Sequence, residues 1–312
     1  MKDIIVTSYE NPDLDGIASM IALADYLKRT MNLGVSPVVF GVLDPETLYV
    51  LNLFGIDRPL LVNECPPTDA IYLVDTHHLK QIQDTIVPKS VVQIYDHHPS
   101  GDPDAFPRAR IINEQVGAVA TMIAELFRNG NIPMQEKISA LLYSGIISNT
   151  LNFTAPTTTD RDRNVAQWLY KQSKIPEDLA MQMFAARSNY SVKTTYELLA
   201  TDYKEFDFSG ISVGISQIEG VNIKQLLSRP ELCTEIARIR CERGANHHFL
   251  SLIDISEKKT YLVSDRQETR QILSEAIGAE FSKELAQIGK ILLRKSDLIP
   301  LLKGYFEKRP TL

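Results

Sequence analysis

Cysteine is scarce in this sequence: there are three in 312 residues, Cys65, Cys233 and Cys241. An odd number at wide spacing excludes a disulfide framework and leaves no CxxC pair for a structural zinc, so these read as buried or incidental thiols. Long apolar runs are missing too, and none approaches the roughly 20 residues that cross a bilayer. The start, Met1-Lys2-Asp3-Ile4-Ile5-Val6, enters a β-branched run with no signal-peptide pattern. The expectation is a soluble, cytoplasmic protein without a membrane partner. Positive charge is in deficit, with 33 Lys and Arg against 39 Asp and Glu and a net charge of -6. That excludes the basic footprint of a protein that binds duplex nucleic acid, although a local group of Lys and Arg can still hold a small anion. There is no internal repeat and no low-complexity tract.

What is present is an ordinary globular composition, 44% hydrophobic and 23% charged, in a chain longer than one core usually supports. Two domains are expected. From Asp3 to about Asp96 short β-branched runs alternate with helical patterns, the signature of an α/β parallel sheet. Strands are expected at Ile4–Ser8, Val35–Phe40, Ala70–Asp75 and Val91–Asp96, with helices at Gly16–Arg29 and Leu79–Ile86. From Gly117 to about Ala186 the pattern is helical, with starts at Pro133 and at Thr157-Thr158-Thr159-Asp160. The segment from Ala185 to Ser191 lacks periodicity, so a linker at 187–193 separates 1–186 from 194–312. Beyond it a smaller mixed α/β domain is expected, with strands near Ile211–Gln217, Phe249–Ile255 and Thr260–Val263 and helices at Ile223–Leu227 and Gln267–Ile277.

Chemistry gathers at the ends of the expected strands. Asn11-Pro12-Asp13-Leu14-Asp15-Gly16 follows the first strand and precedes a helix, where open α/β sheets bind ligands. Alone, this stretch reads equally well as a turn with a helix cap. The strand Ile71-Tyr72-Leu73-Val74 ends on Asp75, and Val91-Val92-Gln93-Ile94-Tyr95 ends on Asp96-His97-His98. Three strand ends thus deliver Asp or His to one sheet edge, and metal ligation accounts for that better than chance. A carboxylate-rich set with one or two histidines suits Mn²⁺, Co²⁺ or Mg²⁺, with Asp75 placed to bridge two ions.

At these residues the sequence resembles the DHH superfamily, and within it the family II, manganese-dependent inorganic pyrophosphatases. The likeness is carried by Asn-Pro-Asp-x-Asp at 11–15, Asp75, Asp96-His97-His98, Asn149-Thr150-Leu151-Asn152-Phe153 and Pro156-Thr157-Thr158-Thr159-Asp160. It continues through Asp202-Tyr203-Lys204-Glu205-Phe206 and Ile215-Ser216-Gln217-Ile218-Glu219 to Arg294-Lys295. The resemblance implies a catalytic domain over 1–186 and a substrate-binding DHH-associated domain over 194–312, with the active site in a cleft between them. It implies one or two Mn²⁺, Co²⁺ or Mg²⁺ ions on Asp13, Asp15, Asp75 and His97. It further implies Asp75, Asp15 and His98 in catalysis, and a small phosphorylated substrate gripped by His98, Lys204, Arg294 and Lys295.

Departures are few but placed at the metals. Tyr9 stands where the family has a metal-binding His, Asn149 where it has a metal-binding Asp, His77 where it usually has Asn, and Leu293 where it has Ser. Each of the first two removes a strong ligand, one from each metal position, leaving Tyr9 and Asn149 as weaker candidates. The implied activity is hydrolysis of a phosphoanhydride, pyrophosphate first and polyphosphate or a nucleotide next. A weakly active phosphate-binding regulator is the alternative, and the oligomeric state, including a homodimer, stays open. A nuclease or cyclic-dinucleotide phosphodiesterase is disfavoured, because no glycine-rich run follows Ala185.

Overall fold

The computed structural model describes residues 4–31, 33–61, 68, 70–188, 190 and 193–308. Cys65 and, in the expected linker, Asn189, Ser191 and Val192 lie outside the described residues. The chain divides into two compact units, Met1–Ala186 and Arg187–Leu312. No helix among the described residues is long and apolar enough to cross a membrane.

In the first unit β1 (Ile4–Thr7), β2 (Val35–Val39), β3 (Leu60–Leu61), β4 (Ala70–Val74), β5 (Val91–Asp96) and β6 (Arg110–Asn113) form one sheet in the order β3-β2-β1-β4-β5-β6. Every pairing is parallel, and β1 lies beside β4 with Ile4 opposite Ala70 and Thr7 opposite Leu73. All of β1 and four of the five residues of β4 are buried, which is why these strands read as continuous apolar runs. Strand order reverses between β1 and β4, and beyond the carboxyl ends at such a switch point ligands bind.

Around the sheet run α1 (Leu14–Met31), α2 (Pro45–Leu53), α3 (Val119–Asn129), α4 (Glu136–Asn149), α5 (Asp160–Tyr170) and α6 (Leu179–Arg187). The α1 helix packs on α3 and α4. A Cβ on Gly145 of α4 would stand 3.1 Å from that of Ala18 and 3.2 Å from that of Ala120, so only glycine lets the three helices approach this closely.

The second unit contains α7 (Thr195–Thr201), β7 (Tyr203–Phe208), β8 (Ile211–Gly220), α8 (Ile223–Leu227), α9 (Leu232–Arg243), β9 (His247–Asp254), β10 (Lys259–Val263), α10 (Gln267–Ile277), β11 (Phe281–Ser282), β12 (Leu285–Ile288) and α11 (Ile299–Glu307). Its sheet runs β11-β12-β10-β9-β8-β7, parallel only between β8 and β9. Period-two alternation sends Phe249 and Leu262 into one apolar cluster, and Leu250, Leu252 and Val263 into another, so both faces are covered.

Two expected elements need correction. The helix expected over Leu79–Ile86 is a single 3-10 turn, Leu79–Gln81. The Gln81 carbonyl, which a helix would require, accepts the Glu10 amide at 3.0 Å, and the Leu79 amide donates to Asp102 Oδ2 at 2.9 Å. The α6 helix runs on to Arg187 through the start of the segment read as aperiodic, and Ser188 and Tyr190 beyond it are buried. Cys233 is half-buried and Cys241 exposed, both free thiols, in line with incidental cysteines.

Candidate metal centre

The carboxyl end of β4 turns sharply at Asp75, whose φ is +63°, a conformation that non-glycine residues rarely adopt. Its amide donates to the Tyr95 carbonyl at 2.8 Å, which fixes the turn, and only 2% of the residue is exposed. Burial raises the Asp75 carboxyl above its ordinary range. Oδ1 of Asp75 is buried and has no hydrogen-bond partner; His97 Nε2 lies 3.3 Å from it without the alignment of a hydrogen bond. Asp75, His97 and His98 each place one ligand atom within 4.8 Å of the others.

His97 is oriented by its other nitrogen. Nδ1 donates to the Val116 carbonyl at 2.8 Å, which turns Nε2 toward Asp75, the arrangement that presents an imidazole to a cation. Burial opposes its protonation, but Asp75 and Asp15 outweigh burial and push the imidazole up to about 10. A cation held there would take the place of the Nε2 proton.

Asp96, fully buried, ends β5 and braces the neighbouring rings. Its Oδ1 accepts His98 Nδ1 at 2.8 Å and the His97 amide at 2.7 Å, while Oδ2 meets His77 Nδ1. Burial alone would raise this carboxyl, yet the bonds from His98 and His77 hold it well below the usual carboxylate range. A Cβ on Gly101 would fall 2.1 Å from the His77 ring, so the loop after β5 lies directly on it. These roles of Asp96 and His77 were not read from the sequence, although an apolar strand ending Asp-His-His was the available signal.

The remaining candidates have protein partners. Asp13 caps α1, its Oδ1 accepting the Gly16 amide at 3.1 Å, which is the cap reading. Asp15 is wholly buried; its oxygens accept the Val119 and Ala120 amides at 2.7 and 2.8 Å, the first turn of α3. Burial and then the Asp75 charge raise its carboxyl well above the ordinary range. Asn149 Nδ2 donates to the Gly117 carbonyl at 2.8 Å and to Asp15 Oδ2 at 3.3 Å. Tyr9 Oη accepts the Asp13 amide at 3.0 Å. Burial, followed by the charges of Asp13, Asp75 and Asp15, raises the phenol well above its ordinary value.

In the second unit Arg294 is 4% exposed, with NH1 donating to the Asp202 carbonyl at 2.6 Å and to that of Ile215 at 3.2 Å, and NH2 to Asp202 Oδ1 at 2.6 Å. Its Nε is buried without a partner. Lys204 and Lys295 are exposed. Desolvation first, and then Arg294 and Lys295, hold the Lys204 ammonium below its usual range, while Asp202 pulls the other way.

The donor set fits a hard divalent cation: a buried carboxylate oxygen without a partner faces an imidazole nitrogen fixed by its far side. Comparison with known proteins agrees. Residues 3–146 match the DHH family, N-terminal domain, and residues 181–305 the DHHA2 domain. The manganese-dependent inorganic pyrophosphatase of Methanothrix thermoacetophila is 30% identical over 98% of this chain and 99% of its own. That of Bacillus subtilis is 29% identical over 97% and 98%. A Methanococcus jannaschii structure assigned to family II inorganic pyrophosphatases superposes with a TM-score of 0.75 at 26% identity, covering 97% of this chain and 99% of that one. An exopolyphosphatase-related protein from Bacteroides fragilis, with a TM-score of 0.50 and 15% identity over 99% and 93% of the two chains, shares the fold. With relatives matched from end to end, this chain belongs to the manganese-dependent, family II inorganic pyrophosphatases, built of a DHH and a DHHA2 domain.

Proposed function

We propose that the chain is a divalent-metal-dependent hydrolase of phosphoanhydrides, with pyrophosphate its first substrate and short polyphosphate or a nucleotide its second. The observation that carries this is the buried, partnerless Oδ1 of Asp75 facing His97 Nε2, in a family whose relatives are named for manganese and pyrophosphate. Asp75 and His97 would hold Mn²⁺, Co²⁺ or Mg²⁺ with Asp13 and Asp15 beside them, and the bound cation would supply acidification of a water and charge for the phosphoryl oxygens. Asp75 accepts the proton of the attacking water. His98, whose Nδ1 donates to Asp96, would donate from its other nitrogen to a phosphate oxygen as an imidazolium. In the second unit Lys204, Arg294 and Lys295 offer cations for the phosphate groups, and the Nε of the Arg294 guanidinium has no protein partner. On this reading residues 1–186 are catalytic, 194–312 bind substrate and 187–193 join them.

Asn149 and Tyr9 favour a second reading, a phosphate-binding regulator with little turnover, because both donate or accept inside the protein where strong ligands are expected. Phosphate release from pyrophosphate, tripolyphosphate and ATP, measured with each of the three metals beside metal-dependent pyrophosphate binding, separates the two. The expected result is Mn²⁺-dependent release that His97→Ala lowers at least a hundredfold. Binding without release by the wild type would sink the hydrolase reading.

A further inference from the structure

The side chains of Tyr9, Asp13, Asp15 and Asn149 are each hydrogen-bonded within the protein, whereas Asp75 Oδ1 has no hydrogen bond and only His97 Nε2 faces it, at 3.3 Å. The Tyr9 hydroxyl accepts the Asp13 amide, and Asp13 Oδ1 is held by the Gly16 amide. Both oxygens of Asp15 accept amides of the first turn of α3. Asn149 settles its own orientation: Nδ2 faces two acceptors, the Gly117 carbonyl and Asp15 Oδ2. Rotating the amide to offer its oxygen beside Asp15 would set the Asn149 oxygen against the Gly117 carbonyl at 2.8 Å and remove that bond. An N–H group therefore points at Asp15 where a second cation would have to sit. Tyr9 likewise brings a neutral oxygen, already accepting a hydrogen bond, into the turn that leads to Asp13. What is left is Asp75 Oδ1, His97 Nε2 and the nearby His98 ring.

From this we infer that the centre takes one divalent cation, on Asp75 and His97, and that direct hydrogen bonds from Asn149 and to Tyr9 stand where a pair of ions would otherwise need ligands. The inference rests on the metal-dependent reading above, but it concerns the number of ions and not the reaction.

Metal counting tests it without reference to turnover. Full-length protein stripped with a chelator is titrated with MnCl₂ alone near neutral pH, and free Mn²⁺ is followed by electron paramagnetic resonance, with metal analysis after dialysis. The expected result is one equivalent bound with the uncoupled spectrum of an isolated ion. Tyr9→His with Asn149→Asp in one chain should bind a second equivalent, with the spin-coupled spectrum of ions about 3.5–4 Å apart. Two equivalents on the wild type would overturn the inference and leave the hydrolase reading intact. No binding would overturn both. A double variant with wild-type circular dichroism that still takes one ion would show that these two residues do not set the count. One bound ion without hydrolysis of any anhydride would instead sink the proposed function alone.

Discussion

Asp96 shows how much of a site is built from residues that bear no ligand atom. Its oxygens are occupied by two imidazoles and two backbone amides, so it orients His98 and His77 without facing a cation itself. Replacing Asp96 with Asn keeps the shape but removes the charge that makes these bonds strong. Asp96→Asn is therefore expected to lower kcat for pyrophosphate about 10–100-fold, the usual effect of losing such a brace, while the Mn²⁺ content stays at the wild-type level. A fall in metal content of the same size would make Asp96 a ligand. At this scale the sequence was partly legible. Apolar strands ending on Asp75 and on Asp96-His97-His98 announced the edge on which the site lies. The direction of the Asn149 amide and the phenol of Tyr9 were not legible, because both are set by partners more than a hundred residues away or by the local turn.

Among the elements, long β-branched runs and capped helices were read well. The β5 strand and the α8 and α10 helices fall on their expected bounds. Elements whose stability comes from packing escaped notice, such as the partly exposed edge strand β6 and the α9 helix with its basic last turn. Gly145 lets α4 lie close on α1 and α3 and so ties packing to chemistry, since a Cβ added there would meet Ala18, Ala120 and, at 3.5 Å, the Asp15 Cα. Gly145→Val should force α4 away from α1, at a cost of about 1–3 kcal/mol typical of overpacking. Because Asn149 ends α4 and reaches Asp15, Mn²⁺ affinity is expected to fall with stability. Urea unfolding beside Mn²⁺ titration checks this; a destabilised variant with unchanged affinity would separate the helix layer from the site.

For the whole molecule, length alone suggested two domains, and the chain forms two compact units, each with its own sheet and core. All the candidate metal ligands belong to the first. Anything that binds only the native state stabilises by mass action, about 2.7 kcal/mol at a hundredfold excess over Kd. Calorimetry with and without Mn²⁺ should resolve two transitions, with only one raised, by about 2–4 °C per kcal/mol for a unit of this size. Equal displacement of both would show that the units unfold together. The partners of Asp15 carry a last consequence, for the order in which the molecule is made. This carboxylate leaves the ribosome well before its partners: the amides that it accepts lie 104 and 105 residues later, and Asn149 lies 134 later. Ring closures of that length are slow relative to local structure. During synthesis β1 and α1 therefore wait, with Asp15 hydrated and the layer unsealed, until α3 and then α4 emerge, and the centre closes only after most of the first unit has been made.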